Sequence, residues 1–199
     1  HQRVGDRMPR FSDADLALVK GSSDFCGLNH YTGMYAAEPK EGEDITIGAP
    51  AGNGGMAEDQ LVELSEDPTW EKTGMNWNIL PWGCRNMLNW INERYEHPPI
   101  YITENGYAAS DEDDLSVAIN DERRIGLVDG YLGACHQAIN EDGVDLRGYF
   151  LWSLMDNFEW AMGYSMRFGI HHVDFETGKR TPKKSAGWYA GVIERNGLL

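Results

Sequence analysis

"PPIYITENG", residues 98–106, is the stretch on which the reading of this chain turns. From Ile100 to Thr103 it is a run of β-branched and aromatic residues, and prolines are tolerated at the start of a strand. The run then gives way to Glu104, Asn105 and Gly106 as it leaves the sheet. A charge at a buried strand end is costly unless something uses or pairs it. Asn-Gly is also a strong hairpin-turn signal. Taken alone, residues 104–106 fit a turn as well as they fit a chemical site.

The flanks extend the pattern. Before the strand, "LPWGCRNMLNWINERYEH" sets Cys84, Leu88, Ile91 and Tyr95 at spacings of four, three and four, one face of a helix. After it, "DEDD" at 111–114 reads as a solvated loop, and Ile125, Val128, Leu132, Cys135 and Ile139 mark a longer helix. "LRGYFLWSLMD", from Leu146, is a further strand. Upstream, Ser12 caps a short helix over 12–20, with Asp13 and Asp15 in its first turn. Phe25 to Leu28 form a short buried strand between turn formers. Residues 33–76 wander and include "GAPAGNGG"; a connection this long is usually functional or mobile. A last helix is expected over 181–195, started by Pro182. Helices and strands alternate, which favours parallel strands with helical crossovers. An open doubly wound sheet and a (β/α)8 barrel both fit. Three strands cannot close a barrel, so in the barrel reading the chain is part of one.

Composition narrows the function. The 199 residues carry a formal charge of −15, which repels a phosphate backbone and argues against nucleic acid as partner. No apolar run is long enough to span a bilayer, so no membrane partner is expected. No signal-peptide pattern occurs, and His1 in place of Met suggests a chain cut from something longer. Cys26, Cys84 and Cys135 sit among apolar residues and read as buried free thiols. With the absence of any Asn-x-Ser/Thr sequon, this leans towards an intracellular protein.

Each strand runs apolar and then turns polar: into Asn29, His30 and Tyr31; into Thr103, Glu104 and Asn105; and through Trp152 and Ser153 to Asp156, Asn157, Glu159 and Trp160. In parallel α/β folds the carboxyl strand ends face one side, where ligands bind. Carboxylates and amides beside aromatic rings suit a sugar, with its apolar C–H faces and many hydroxyls.

These stretches carry a resemblance. "YITENG" resembles the nucleophile motif of glycoside hydrolase family 1, the β-glucosidases and their relatives. "GSSDFCGLNHYTGMY" resembles that family's sixth barrel strand and loop. "NWNILPWG" with "LNWINERYEHPPIYITENG" resembles the seventh, and "GYFLWSLMDNFEWAMGYSMRFGIHHVDFETGKRTPKKSA" the eighth and beyond. Residues 36–74 match least. The wording looks closest to fungal members. The resemblance implies the carboxyl-terminal part of a (β/α)8 TIM barrel, about strands 6–8, with residues 1–199 one portion of a single catalytic domain.

It also implies roles. Glu104 matches the nucleophile of a retaining β-glucosidase acting on cellobiose-like or aryl β-glucosides by double displacement. Tyr31 matches a tyrosine that donates to that nucleophile, and Asn29 a polar neighbour. Glu159 matches the glutamate that accepts from outer hydroxyls of the glycone; it would repel a 6-phosphate. Trp152, Trp160 and Phe168 match the walls of the glycone pocket, and Trp77 an aglycone platform. No cofactor or metal is implied. One part is missing: the acid/base glutamate of the family's Asn-Glu-Pro motif, since "AAEPK" around Glu38 has the wrong context. A complementary N-terminal barrel segment is therefore expected as partner.

Other readings compete. Glu159 alone fits a surface helix, Trp152 and Trp160 a core, and Tyr31 a capped core tyrosine. His171 and His172 are adjacent on a strand and point to opposite faces, so they are structural. Gly48, Gly52, Gly54 and Gly55 lack the Lys-Ser/Thr of a phosphate loop. "DEDD" lacks the EF-hand pattern. A carbohydrate-binding module without chemistry remains the alternative to an enzyme portion.

Overall fold

The computed structural model describes residues 9–38, 62–112 and 114–198. Helix α1 (Asp13–Val19) is closed by a capping box in which Ser12 and Asp15 satisfy each other's backbone N–H. Strand β1 (Cys26–Asn29) follows, then a small antiparallel pair, β2 (Tyr35–Ala37) with β3 (Glu63–Ser65). Helix α2 (Pro81–Arg94) leads to β4 (Ile100–Asn105). A short α3 (Leu115–Ala118) and the long α4 (Glu122–Asn140) lead to β5 (Leu146–Leu151). A second antiparallel pair, β6 (His171–Val173) with β7 (Arg180–Pro182), precedes α5 (Lys184–Arg195). The glycine-rich stretch 48–55 lies outside the described residues.

The three long-range strands form one parallel sheet in chain order, β1-β4-β5. α2 and α4 cover one of its faces. Their core joins Cys84, Leu88 and Ile91 to Ile100 and Ile102 and to Leu127, Val128, Tyr131 and Cys135. The other face is open: Asn29, Thr103 and Phe150 are exposed on it. All three cysteines are free.

Several expectations shift. α2 ends at Arg94, and Tyr95 is exposed, because the stripe ends where the chain turns to enter β4. On α4 the buried face is centred on Leu127, Tyr131, Ala134 and Ala138, while Ile139 is 42% exposed. α5 starts at Lys184, because Pro182 closes β7 instead. Within "DEDD", Asp111 and Asp114 are exposed as expected, Asp114 capping α3, and residue 113 lies outside the described residues; Glu112 departs from the expectation, buried against Arg124 and Lys183.

Asn105-Gly106 makes no hairpin. Asn105 is the last residue of β4, and its side chain ties both neighbours. Its Nδ2 donates to the His30 carbonyl at 2.8 Å, and its Oδ1 accepts from the Tyr149 hydroxyl. Gly106 passes so close to β5 that a Cβ would lie 1.8 Å from the Trp152 carbonyl oxygen. Replacing Asn105 by Ala strands two buried partners, each costing about 1–3 kcal/mol. Urea unfolding should show a loss of about 2–6 kcal/mol for Asn105→Ala.

Candidate active site

Strict alternation along β4 would put Glu104 on the same side as Ile100 and Ile102, inside the apolar core. The sheet avoids this with a bulge. Leu28 pairs with Ile102 and Asn29 with Glu104, so one step on β1 matches two on β4. On the other side, Ile102 pairs with Tyr149 and Asn105 with Leu151, three steps against two. Thr103 is the extra residue; its hydroxyl donates to Asn29 Oδ1 at 2.6 Å. Parity is reset, so that Ile102 and Asn105 both face the helices and Glu104 turns away from them.

Glu104 is half-buried at the carboxyl end of the sheet. The Tyr31 hydroxyl donates to its Oε2 at 2.8 Å. Tyr31 is built in from behind: its carbonyl faces the Tyr131 hydroxyl at 3.4 Å, which also accepts the Leu80 N–H at 3.0 Å. Burial, then the hydrogen bond to Glu104, pushes the Tyr31 phenol well above its usual range. The phenol therefore stays a donor. Around it, Tyr31 lies 5.2 Å from Trp77 and 6.0 Å from Phe168, ring centre to ring centre. Trp152 and Met75 pack on the same small cluster with Ala108, Met166 and Phe168.

Glu159 comes from the loop beyond β5. Partial burial, then the charge of Glu104, raises its carboxyl above the usual glutamate range. Two carboxylates, a phenol donor and aromatic walls thus meet at one strand-end face. This arrangement offers a nucleophile or a hydrogen-bond acceptor to a polyol, with ring faces to hold its C–H surface.

Of the residues expected here, Glu104, Tyr31, Glu159, Trp152, Phe168 and Trp77 come together. Asn29 is exposed beside them, bound to Thr103. Trp160 stands apart: it is 82% exposed, on a 3-10 turn over 160–162. Of the other polar strand-end residues, Asn105, Ser153 and Asp156 are buried and used structurally. Met75, Ala108 and Met166 were not anticipated; nothing in their local sequence marks them. His171 and His172 are half-buried and buried respectively, and no group of His, Cys, Asp and Glu among the described residues is placed to hold a metal. No described helix is long and apolar enough to cross a membrane.

Comparison with known proteins places this geometry. The family model described as "Glycosyl hydrolase family 1" matches residues 1–198. Beta-glucosidase 4 of rice, Oryza sativa subsp. japonica, is 43% identical over 97% of this chain and 40% of its own length. Human lactase/phlorizin hydrolase is 40% identical over 96% of this chain and 9% of its own length. Among solved structures, a rice β-glucosidase has a TM-score of 0.82 at 40% identity, over 94% of this chain and 40% of that one. A mutant of the same rice enzyme, in a covalent complex with Glc, has a TM-score of 0.81 at 38% identity, over 94% of this chain and 40% of that one. The chain thus spans about two fifths of the length of the rice relatives. The expected likeness to fungal members gains no support from these plant and mammalian proteins.

The Tyr31–Glu104 pair is directly measurable. The Cζ resonance of Tyr31 should not shift as pH rises through 10, where a free phenol ionises. Glu104→Gln removes the charge that opposes phenolate formation, so it should lower the Tyr31 midpoint, which burial still holds above the usual value.

Proposed function

The chain belongs to glycosyl hydrolase family 1, and on that premise we propose that it is the carboxyl-terminal portion of a retaining β-glucosidase, with Glu104 as nucleophile. The observation that carries this reading is the Tyr31 hydroxyl on Glu104 Oε2, beside Glu159 and the ring cluster. Glu104 would attack the anomeric carbon through an oxocarbenium-like state. The bond to the leaving oxygen breaks as the glycosyl-enzyme ester forms, and water then hydrolyses the ester. The phenol donor stabilises the carboxylate before attack and when it is released. A relative caught in a covalent complex with Glc supports an ester-forming mechanism in this fold.

Glu159 holds outer hydroxyls of the glycone. Its ionised form can accept two hydroxyl donors, which suits an unmodified sugar. Trp152 and Phe168 wall the glycone, and Trp77 flanks the leaving group. Trp160, exposed in this chain, joins the glycone wall only when the rest of the barrel is present. Asn29 lies beside the sugar's inner hydroxyls.

The three parallel strands are about strands 6–8 of the barrel, and residues 1–199 one portion of its catalytic domain. The acid/base carboxyl comes from a complementary segment carrying the earlier strands. The open inner face, with Phe150 58% exposed, and the bare apolar side chains of α1, with Leu18 77% exposed, support such a partner. Glu159 does not replace the missing acid/base, because its role is to stay ionised against hydroxyls.

Four outcomes check the proposal. The chain alone should not turn over an aryl β-glucoside, and mixing it with the amino-terminal part of a family relative should restore turnover. Turnover by the chain alone would pass the acid role to Glu159 and refute the partner. In the assembled enzyme, a 2-deoxy-2-fluoro glucoside with a good leaving group should label Glu104, as read by mass spectrometry. Glu104→Gln should abolish turnover and keep binding; sugar binding without labelling would favour a carbohydrate-binding module. Because the Glu159 carboxyl is raised and the sugar requires it ionised, affinity should climb as pH rises through its midpoint. Glu159→Gln should flatten that limb and raise KM by roughly 10-fold or more, the loss of a charge-assisted hydrogen bond.

A further inference from the structure

We propose that Asp156, clamped by Lys183 and Arg167, is a positioning residue that sets the loop after β5 so that Glu159 stands beside Glu104. The proposal rests on the reading of Glu159 as a sugar ligand, and it concerns what places that carboxylate.

Asp156 is 3% exposed and both its oxygens are fully engaged. Oδ1 accepts from the Gly169 N–H at 2.9 Å and from Lys183 Nζ at 3.1 Å. Oδ2 accepts from Arg167 Nη1 at 2.8 Å and from the Val173 N–H at 3.2 Å. One carboxylate therefore draws the start of the loop onto its return leg, with Glu159 on the excursion between them. Phe168, in the ring cluster, immediately precedes Gly169. Gly169 has no room for a side chain: a Cβ would lie 2.1 Å from the Asp156 nitrogen.

Lys183 carries the constraint to the neighbouring strand. It bonds Asp156 on one side and Glu112, in the segment following β4, on the other. Glu112 in turn takes Arg124 of α4, which also pairs with Asp121 and donates to the Arg167 carbonyl. Three carboxylates (Glu112, Asp121, Asp156) thus meet three cations (Arg124, Arg167, Lys183), all buried. Burial by itself would raise the Asp156 carboxyl, but Lys183 and Arg167 bring it below the usual range, so it is held as an anion. Balanced, hydrogen-bonded charge of this kind is weak as a source of stability but strict about geometry. None of the six is among the residues expected to touch sugar. Their route to the site is through the loop.

The test uses the chain itself and reads the Glu159 carboxyl by 13C-detected pH titration. In the unsubstituted chain the Glu159 midpoint lies above that of a free glutamate. In Asp156→Asn the loop loosens, and the Glu159 midpoint should fall to that of a free glutamate. The Tyr31 phenol, just beyond β1, is held high mainly by burial and by its bond to Glu104, so it should stay above its usual range. A merely structural role would lower stability and shift neither carboxyl nor phenol in the folded fraction. The double variant Asp156→Asn/Lys183→Met removes one charge of each sign, so it tests the same point with the charge of the cluster still balanced. A raised Glu159 midpoint in either folded variant overturns the proposal, as does an ordinary midpoint in the unsubstituted chain. Unfolding of both variants also overturns it, because Asp156 would then hold the whole domain and not the loop. None of these results bears on labelling of Glu104, so the glycosidase reading stands or falls separately.

Discussion

The extra residue in β4 is the constraint on which the site depends. A strand has a period of two, so every residue's side is set by its neighbours'. Ile100 and Ile102 belong to the core under α2 and α4. Without the shift at Thr103, Glu104 would follow them into that core, where an unpaired carboxylate is prohibitively costly. The bulge turns it to the open side, and Asn105 then makes the shift permanent by bonding to strands on both sides. Gly106 completes the arrangement, since only a glycine can pass the Trp152 carbonyl. The three letters Glu-Asn-Gly are thus one mechanical unit: a group turned outward, an anchor turned inward, and a close crossing.

A second layer holds what the strands cannot. The loop from Ser153 to Val173 is long, and most of it lacks regular structure. It gains definition from the buried ionic cluster and from paired backbone contacts, such as Ala109 with Arg167 and Ser153 with Ile170. The cluster shows why the acidic composition is not all surface. Glu112, Asp121 and Asp156 are interior charges: Asp121 is matched within its own helix start by Arg124, and Glu112 and Asp156 are matched by cations from further along the chain.

The geometry also explains why a partial barrel reads so clearly. Parallel strands with helical crossovers bury one face of the sheet within the segment itself, so a coherent core forms from α2, α4 and three strands. The opposite face and the outer sides of the end strands are left for other elements. The site lies on that boundary. Glu104, Tyr31 and Glu159 are grouped by this chain, and in the proposed reading the proton donor comes from the complementary segment.

By itself, the sequence determined the alternation of helices and strands, the carboxyl-end location of the polar residues, and the family to which Glu104, Tyr31 and Glu159 belong. Those are local or pattern properties: hydrophobic period, capping at Ser12, and motifs read in order. It set Tyr95 and Ile139 on helix stripes at whose exposed ends they turn out to stand, began α5 at Pro182, and took Glu112 for a solvated residue. Only the tertiary structure decided the bulge at Thr103, the two hydrogen bonds of the Asn105 side chain, and the clamp of Asp156 by Lys183. The reason is distance along the chain. Asn105 meets His30 and Tyr149, and Lys183 meets Glu112, across separations at which no local preference says which partner a polar side chain will find. Packing of the sheet against its helices makes that choice.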